Sequence, residues 1–132
     1  MVDVIDRYMI RIANDWISYF SSPETSRDDN PALFNPFMIV DLLVHKMDFY
    51  AWDLILLILQ LDTEGKSLDL LSAATLETFV SAHGEYWIDQ IEEQAKIDPR
   101  FRSLLAGIYQ FDAKAEIWDR VLVARGNAIP FG

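Results

Sequence analysis

The sequence predicts an all-α protein, a bundle of six to seven short helices. Apolar residues recur at i, i+3, i+4 and i+7 through most of the chain, which is the spacing of an amphipathic helix. Residues that begin or end helices stand between these stretches, and the one β-favouring run, residues 121–123, lies inside a helical pattern. The 132 residues, 52% of them hydrophobic, suit a single domain over residues 1–132.

The first helix is predicted over residues 3–20, whose apolar stripe includes Met9, Ala13 and Trp16. Residues 21–36 follow as a long irregular loop, because three prolines and a cluster of Ser, Asp and Asn forbid a regular element there. A connection of this length is unusual inside a domain and is typical of a mobile or functional segment.

Capping signals then predict two helices in close succession. Asn35 followed by Pro36 is expected to begin a helix that runs to about residue 47. Asp48 is expected to cap the next helix, residues 49–61. That helix is apolar on nearly all sides, so we expect it at the centre of the fold.

The next stretch, residues 67–82, is predicted to be helical in two segments that meet near residues 73–75. Gly84 is expected to end this helix as a left-handed C-terminal residue, and His83 is expected to cap its last turn. A separate helix is then predicted over residues 85–97.

Two further helices complete the prediction. Asp98 and Pro99 form a strong start signal, an N-cap followed by proline at the first helical position. Asp112 is expected to cap the last helix and Gly126 to end it. Residues 127–132 are left as a tail without periodicity.

The four tryptophans are nearly evenly spaced. Trp16, Trp52, Trp87 and Trp118 are separated by 36, 35 and 31 residues, a spacing that two-helix solenoid repeats also produce. The sequence around them does not align along its length. Tryptophans that anchor a plain helix bundle are therefore the favoured interpretation, with α-solenoid-like helical hairpins as the alternative.

Composition restricts the class of partner. The formal net charge is −10; residues 1–95 carry 17 acids against 5 bases, whereas residues 96–132 carry 4 acids against 6 bases. Such a surface repels phosphate backbones, so no nucleic-acid partner is expected, and it favours a basic protein partner. The absence of cysteine excludes disulfides, a thiolate nucleophile and cysteine-ligated metals.

The sequence also predicts a cytoplasmic protein. No secretion signal is visible, because acids stand where such a signal has Lys or Arg. The most apolar region, residues 37–61, is interrupted by charged residues and falls short of the roughly 18 apolar residues that a membrane span needs. No membrane association is expected.

Two histidine pairs are the candidates for acid–base chemistry. Asp41 and His45 are four residues apart and can share a helical face, and His83 lies two residues before Glu85. No third ligand at helical spacing completes the Asp41–His45 pair, whereas His83 is expected to act as a cap rather than in a site with Glu85 or Asp89. The sequence has no nucleophile elbow, phosphate-binding loop or dinucleotide fingerprint. No catalytic residue, cofactor or metal site is therefore assigned.

A strip of acids is the candidate partner-binding surface. Glu85, Asp89, Glu92 and Glu93 fall on one face of the predicted helix over residues 85–97. This strip can serve as a docking surface for a basic partner, although a solvated face is the default interpretation of such a run of charge.

A series of short motifs runs through residues 52–125. It comprises Leu76-Glu77, His83-Gly84, residues 87–92, Ala95, residues 98–101, Leu104-Leu105, residues 107–109 and Trp118. In these motifs the chain resembles a bacterial family of domains of unknown function. Where that family is expected to have a Gly-Pro turn, this sequence has Ala74-Thr75. The resemblance implies a bacterial helical domain and brings no activity with it.

These observations predict a non-enzymatic, acidic protein-interaction module, such as an immunity or antitoxin-like protein that binds a basic partner. A homodimer is left open. One alternative is a small enzyme with an acid–base site around Asp41 and His45 or around His83 and Glu85. Another is an acidic phage-type or DNA-mimic inhibitor, whose carboxylates would be spaced like backbone phosphates.

Overall fold

The computed structural model describes residues 4–22 and 35–132, and the regular structure of these residues is helical throughout. The all-α prediction is therefore confirmed. Most of the predicted loop over residues 21–36 lies outside the described residues. The chain divides into two units, residues 1–67 and residues 68–132. Each unit contains two of the four tryptophans, and a repeat relating them stays a prediction.

The first unit contains three described helices: α1 (Val4–Ser21), α2 (Phe37–Lys46) and α3 (Asp48–Leu61). Helix α3 packs against both α1 and α2. Its side chains Leu54, Ile55 and Ile58 are completely buried. Because α3 buries residues on most of its faces, it forms the core of this unit. Its predicted place at the centre of the whole fold stays a prediction.

The start of α2 confirms the predicted Asn-Pro signal. The Asn35 side-chain oxygen accepts a hydrogen bond from the backbone N–H of Phe37, with an N–O distance of 2.9 Å. Pro36 already has helical dihedral angles. The prediction for α3 was one residue late: the helix begins at Asp48, and the N-cap position is Met47.

A buried carboxylate fixes the chain where it leaves α3. Asp62 is only 3% exposed, and its carboxylate accepts hydrogen bonds from the backbone N–H groups of Gly65 and Ser67, both at 2.9 Å. The Ser67 hydroxyl donates a further bond of 2.6 Å to the same carboxylate. Gly65 has a φ of +77°, which a residue with a Cβ rarely adopts. The break after α3 is thus a closed turn built around Asp62.

The second unit begins with one continuous helical stretch. It consists of α4 (Leu68–Leu70), a π-helical turn (Leu71–Leu76) and α5 (Glu77–Ile97). The predicted junction near residues 73–75 is therefore not a break. The Ser72 hydroxyl in the π turn donates a hydrogen bond of 2.8 Å to the Leu104 carbonyl oxygen, which joins the turn to the helix over Pro99–Ala106.

Gly84 does not end a helix, and this prediction was wrong. Gly84 lies inside α5, so the two helices predicted over residues 67–82 and 85–97 are one. A Cβ atom at this position would lie 2.8 Å from Cγ2 of Ile117. The glycine therefore permits a close helix–helix approach rather than a left-handed turn. His83 likewise lies within α5 and not in its last turn, so the predicted cap was wrong; its ring centroid is 5.4 Å from that of Phe79.

The remaining helices are α6 (Pro99–Ala106) and α7 (Ala115–Arg125). Asp98 caps α6 as predicted, because its carboxylate accepts a 2.9 Å bond from the Arg100 N–H and Pro99 follows at the first helical position. Asp112 does not cap α7, whose N-cap residue is Lys114; the Asp112 N–H instead bonds the Ser81 hydroxyl at 3.3 Å. Gly126, with a φ of +54°, ends α7 as predicted.

Replacing Gly84 with Ala should destabilise the second unit. At an exposed helical site this change stabilises by about 1 kcal/mol. Here we expect a loss of about 1–2 kcal/mol in the free energy of unfolding, since the new methyl group meets Ile117. Urea denaturation measures the effect. The double variant Gly84→Ala/Ile117→Ala should lose less stability than the sum of the losses in the two single variants. A Gly84→Ala protein that is more stable than wild type would contradict the packing role.

Candidate functional site

All four acids of the predicted strip lie on α5 and pair with bases of the same unit. The pairs are Lys114 with Glu85, Arg120 with Asp89 and Glu92, and Lys96 with Glu93. The helical spacing thus placed these carboxylates on one helix correctly. The structure adds the cations that pair with them: Arg120 on α7, Lys114 at its N-cap position and Lys96 near the end of α5.

Arg120 is the centre of this network. Its guanidinium group donates a 2.7 Å bond to Asp89 and, through Nε, a 3.0 Å bond to Glu92. The bond from Arg120 lowers the pKa of Glu92, and the two carboxylates raise the pKa of Arg120. Much of the negative charge on α5 is therefore balanced within the unit. Binding of a partner at this strip stays a prediction.

The two histidine pairs have different surroundings. His45 Nδ1 lies 2.8 Å from the backbone oxygen of Asp41 and 3.8 Å from its carboxylate, so the exposed ring hydrogen-bonds its own helix. His83 is half-buried beside Phe79, whereas Glu85 pairs with Lys114. A cavity of about 190 Å³ next to Glu85 is lined by Lys114 but not by His83. The described residues thus do not bring His83 and Glu85 together in this cavity.

Within residues 4–22 and 35–132, no three His, Asp or Glu side chains are grouped so that they could hold a metal ion. No helix in these ranges has the length and hydropathy to cross a membrane.

A groove between α1 and α3 was not predicted. Two neighbouring concavities of about 490 and 430 Å³ share Asp6, Met9 and Asp53. We call the pair the α1–α3 groove. Its other lining residues are Ile10, Met47, Asp48, Phe49, Tyr50, Leu56, Leu57 and Gln60.

The α1–α3 groove is largely apolar and partly exposed. Phe49 and Met47 are 75% and 52% exposed, although an isolated protein gains by burying side chains of this kind. Two of the lining residues, Met9 and Met47, have flexible thioether chains that adapt to differently shaped ligands. Exposed apolar surface with polar edges is typical of a site that binds another macromolecule.

The rim of the α1–α3 groove carries negative charge. Asp6 on α1 and Asp53 on α3 are both exposed, and within the described part of the chain neither forms an ion pair. None of the described lining residues is Lys, Arg or His. Burial and, secondarily, the charge of Asp6 raise the pKa of Tyr50 above its ordinary value. The groove is therefore anionic, whereas each acid of the strip on α5 has a Lys or Arg partner.

Sequence reasoning missed this site because its two walls are far apart in the chain. Asp53 was the available signal, since it is a charged residue in the middle of an otherwise apolar helix. A charge at such a position marks the one face of α3 that is not covered.

The fold and the groove define a helical protein with an acid-rimmed apolar surface. The chain belongs to a family of unknown function (DUF6869), whose family model matches residues 23–129. The resemblance seen over residues 52–125 is thereby confirmed. No curated protein and no solved structure matches the chain. The matched segment includes α3 and all helices of the second unit but not α1.

Proposed function

We propose that this protein is a non-enzymatic interaction module that binds a basic protein partner in the α1–α3 groove. The observation that carries the proposal combines two exposed carboxylates with two exposed apolar side chains, Phe49 and Met47. The carboxylates are Asp6 and Asp53, which form no ion pair with another described residue. Apolar contacts would supply most of the affinity, and the carboxylates would select and steer a cationic partner.

The shape of the α1–α3 groove indicates the form of the partner segment. Two helices wall an open apolar trough, which suits an amphipathic helix laid along it. The apolar side chains of that segment would contact Met9, Leu56 and Leu57, and Lys or Arg residues at its edges would face Asp6 and Asp53. The net charge of −10 would increase the association rate.

Immunity or antitoxin-like activity is the form of this function that we propose, exerted in the cytoplasm of a bacterium. A small acidic module that occupies the surface of a basic protein would block that protein's other contacts. The cysteine-free composition suits a reducing compartment.

The alternatives have less support. An enzyme would need a concave site that gathers a histidine with other polar groups, whereas His45 is exposed and bonded to its own helix. A DNA mimic would need rows of unbalanced carboxylates, whereas the four of the strip on α5 are paired with Lys and Arg.

Affinity capture with the groove reversed in charge tests the proposal. The wild-type chain, immobilised and exposed to lysate of the source bacterium, should retain a basic protein that elutes with salt. The variant Asp6→Lys/Asp53→Lys should bind the captured protein at least about tenfold more weakly in a purified titration.

The matched control reverses two exposed acids elsewhere. Asp15→Lys/Asp119→Lys makes the same change in net charge but touches no lining residue of the groove. It should reduce affinity only slightly. Equal losses of affinity in both double variants would show that the interaction is non-specific charge attraction. Capture of no basic protein would contradict the proposed function.

A further inference from the structure

A cavity in the second unit is lined by neither histidine and by no residue of the acidic strip. Its volume is about 450 Å³, and small-molecule sites typically have about 300–1,000 Å³. Four stretches of this unit line it: the helical turns around Asp69, the end of α6 with the residues after it, two residues of α7, and residues 130–131. We call it the Arg125 cavity. Its described lining residues do not include any of the α1–α3 groove.

Two opposite charges line the Arg125 cavity without pairing with each other. Asp69 and Arg125 are the only charged residues among its described lining residues. Within residues 4–22 and 35–132, neither belongs to an ion pair. The Asp69 carboxylate instead accepts the N–H of Leu70 at 2.8 Å through Oδ1, so Oδ2 remains for a ligand. A cavity that keeps a carboxylate and a guanidinium group apart has room between them for a molecule that carries both complementary charges.

Backbone carbonyl groups and an aromatic ring position the Arg125 guanidinium group. Its Nη1 donates to the carbonyl oxygens of Ala106 and Ile108, at 3.5 and 3.3 Å. Its central carbon lies 5.4 Å from the centroid of the Trp118 ring, a cation–π contact. The hydrogen bonds of Arg125 to other described residues thus come from Nη1, so the edge formed by Nε and Nη2 keeps its donors for a further acceptor. That edge matches the two oxygens of a carboxylate.

The remaining lining of the Arg125 cavity is apolar and includes three aromatic residues. Trp118 and Phe131 are half-buried, whereas Tyr109 is 77% exposed. Contacts hold two of these residues in place: the Tyr109 N–H donates a 2.7 Å bond to the Glu77 carboxylate, and the Phe131 ring centroid lies 5.8 Å from the guanidinium carbon of Arg100. An aromatic wall that is already in position binds an aromatic group at a small cost in conformational entropy.

We propose that the Arg125 cavity binds a small zwitterion, an α-amino acid with an aromatic side chain. Arg125 binds the carboxylate of this ligand, Asp69 binds its ammonium group, and the aromatic wall contacts its side chain. A free anion is repelled by Asp69 and a free cation by Arg125, whereas a zwitterion is attracted by both. This site does not depend on the function proposed for the α1–α3 groove.

Calorimetric titration of the full chain with L-phenylalanine tests the site. We expect a dissociation constant below about 1 mM. Two analogues separate the charges, because phenylpropionate lacks the ammonium group and phenethylamine lacks the carboxylate. Each should bind at least about tenfold more weakly than L-phenylalanine, since each leaves one charged group of the cavity without its partner. No binding of L-phenylalanine up to about 5 mM, or equally tight binding of either analogue, would overturn the proposal.

Two charge-removing variants assign each charge of the ligand to a residue. Asp69→Asn and Arg125→Gln should each weaken L-phenylalanine binding at least about tenfold. In Asp69→Asn, which alters an exposed side chain, L-phenylalanine and phenylpropionate should bind equally, a result that a general loss of structure would not produce. The controls Asp119→Asn and Arg11→Gln alter exposed residues outside the cavity and should change the affinity less than about twofold. Equal losses in variants and controls would contradict the assignment.

The indole N–H signals of the tryptophans locate the ligand independently. In proton–nitrogen NMR spectra, L-phenylalanine should shift the signal of Trp118, which is identified by its absence from Trp118→Phe. The signal of Trp16, completely buried in the first unit, should stay unchanged. Binding without a shift at Trp118 would place the ligand elsewhere and overturn the assignment. Asp6→Lys/Asp53→Lys should lose the basic partner but keep L-phenylalanine binding, so the two proposals can fail separately.

Discussion

Replacing Ile58 with Asp should unfold the first unit. Ile58 is completely buried on α3, the helix on which both α1 and α2 pack. A carboxylate there would be charged without a partner or would have to be protonated, and it would leave apolar neighbours poorly packed. We expect a loss of at least about 4 kcal/mol in the free energy of unfolding, which is comparable to the whole stability of a small domain.

Far-UV circular dichroism during urea denaturation measures this loss. Gln60→Asp is the matched control, because it introduces the same residue two positions later on the exposed side of α3. The control should cost no more than the lower helix propensity of Asp, about 0.5 kcal/mol. Equal midpoints for Ile58→Asp and wild type would show that α3 is not the core of this unit.

Replacing Asp62 with Ala should have the next largest effect. The change removes the acceptor of three hydrogen bonds and leaves the N–H groups of Gly65 and Ser67, together with the Ser67 hydroxyl, without it. Ser67 is itself fully buried. Buried donors that lose their partner cost about 1–3 kcal/mol each, so we expect a total loss of about 3 kcal/mol.

Two further variants divide the Asp62 effect. Asp62→Asn keeps one acceptor oxygen and should lose less stability than Asp62→Ala. Ser67→Ala removes only the hydroxyl and should cost about 1 kcal/mol. We expect the urea midpoint to be highest for the wild type, lower for Asp62→Asn and lowest for Asp62→Ala. An Asp62→Ala protein within about 0.5 kcal/mol of wild type would contradict the structural role of this carboxylate.

Helix ends that depend on adjacent residues could be predicted from the sequence. Asn35 bonds the backbone two residues later, Asp98 does the same, and Gly126 adopts its left-handed conformation at the end of α7. Each signal and its effect lie within one helical turn, so no knowledge of the rest of the fold is needed.

Features that depend on distant residues could not be predicted in this way. A glycine such as Gly84 is typical of a helix end, but Gly84 lies against Ile117, 33 positions away in the chain. An aspartate such as Asp112 is typical of an N-cap, but α7 begins at Ala115 and its N-cap residue is Lys114. A local pattern cannot distinguish a glycine that ends a helix from one that admits a neighbouring helix.

The same limit applies to the candidate site. The spacing of Asp89 and Glu92 placed both on one face of α5, but their pairing with Arg120 joins residues 28 and 31 positions apart. The α1–α3 groove joins residues still more distant, Asp6 and Asp53. Helix α1 also lies before the segment that the family model matches. One wall of the groove therefore lies outside the region by which the family is recognised.

The π-helical turn affects where in the chain a residue can be deleted without disturbing the packing. From Leu68 to Leu76 the buried positions Leu68, Ser72 and Leu76 recur every four residues, whereas 11 residues make three turns from Gly84 to Ala95. A π-helical turn contains more residues than the 3.6 of a regular α-helical turn. A deletion in most of α5 would rotate everything after it by about 100°. Between Leu71 and Leu76 a deletion would instead convert the wide turn to a regular one, so a one-residue length difference can be absorbed there without redirecting the face of α5 that packs on α7.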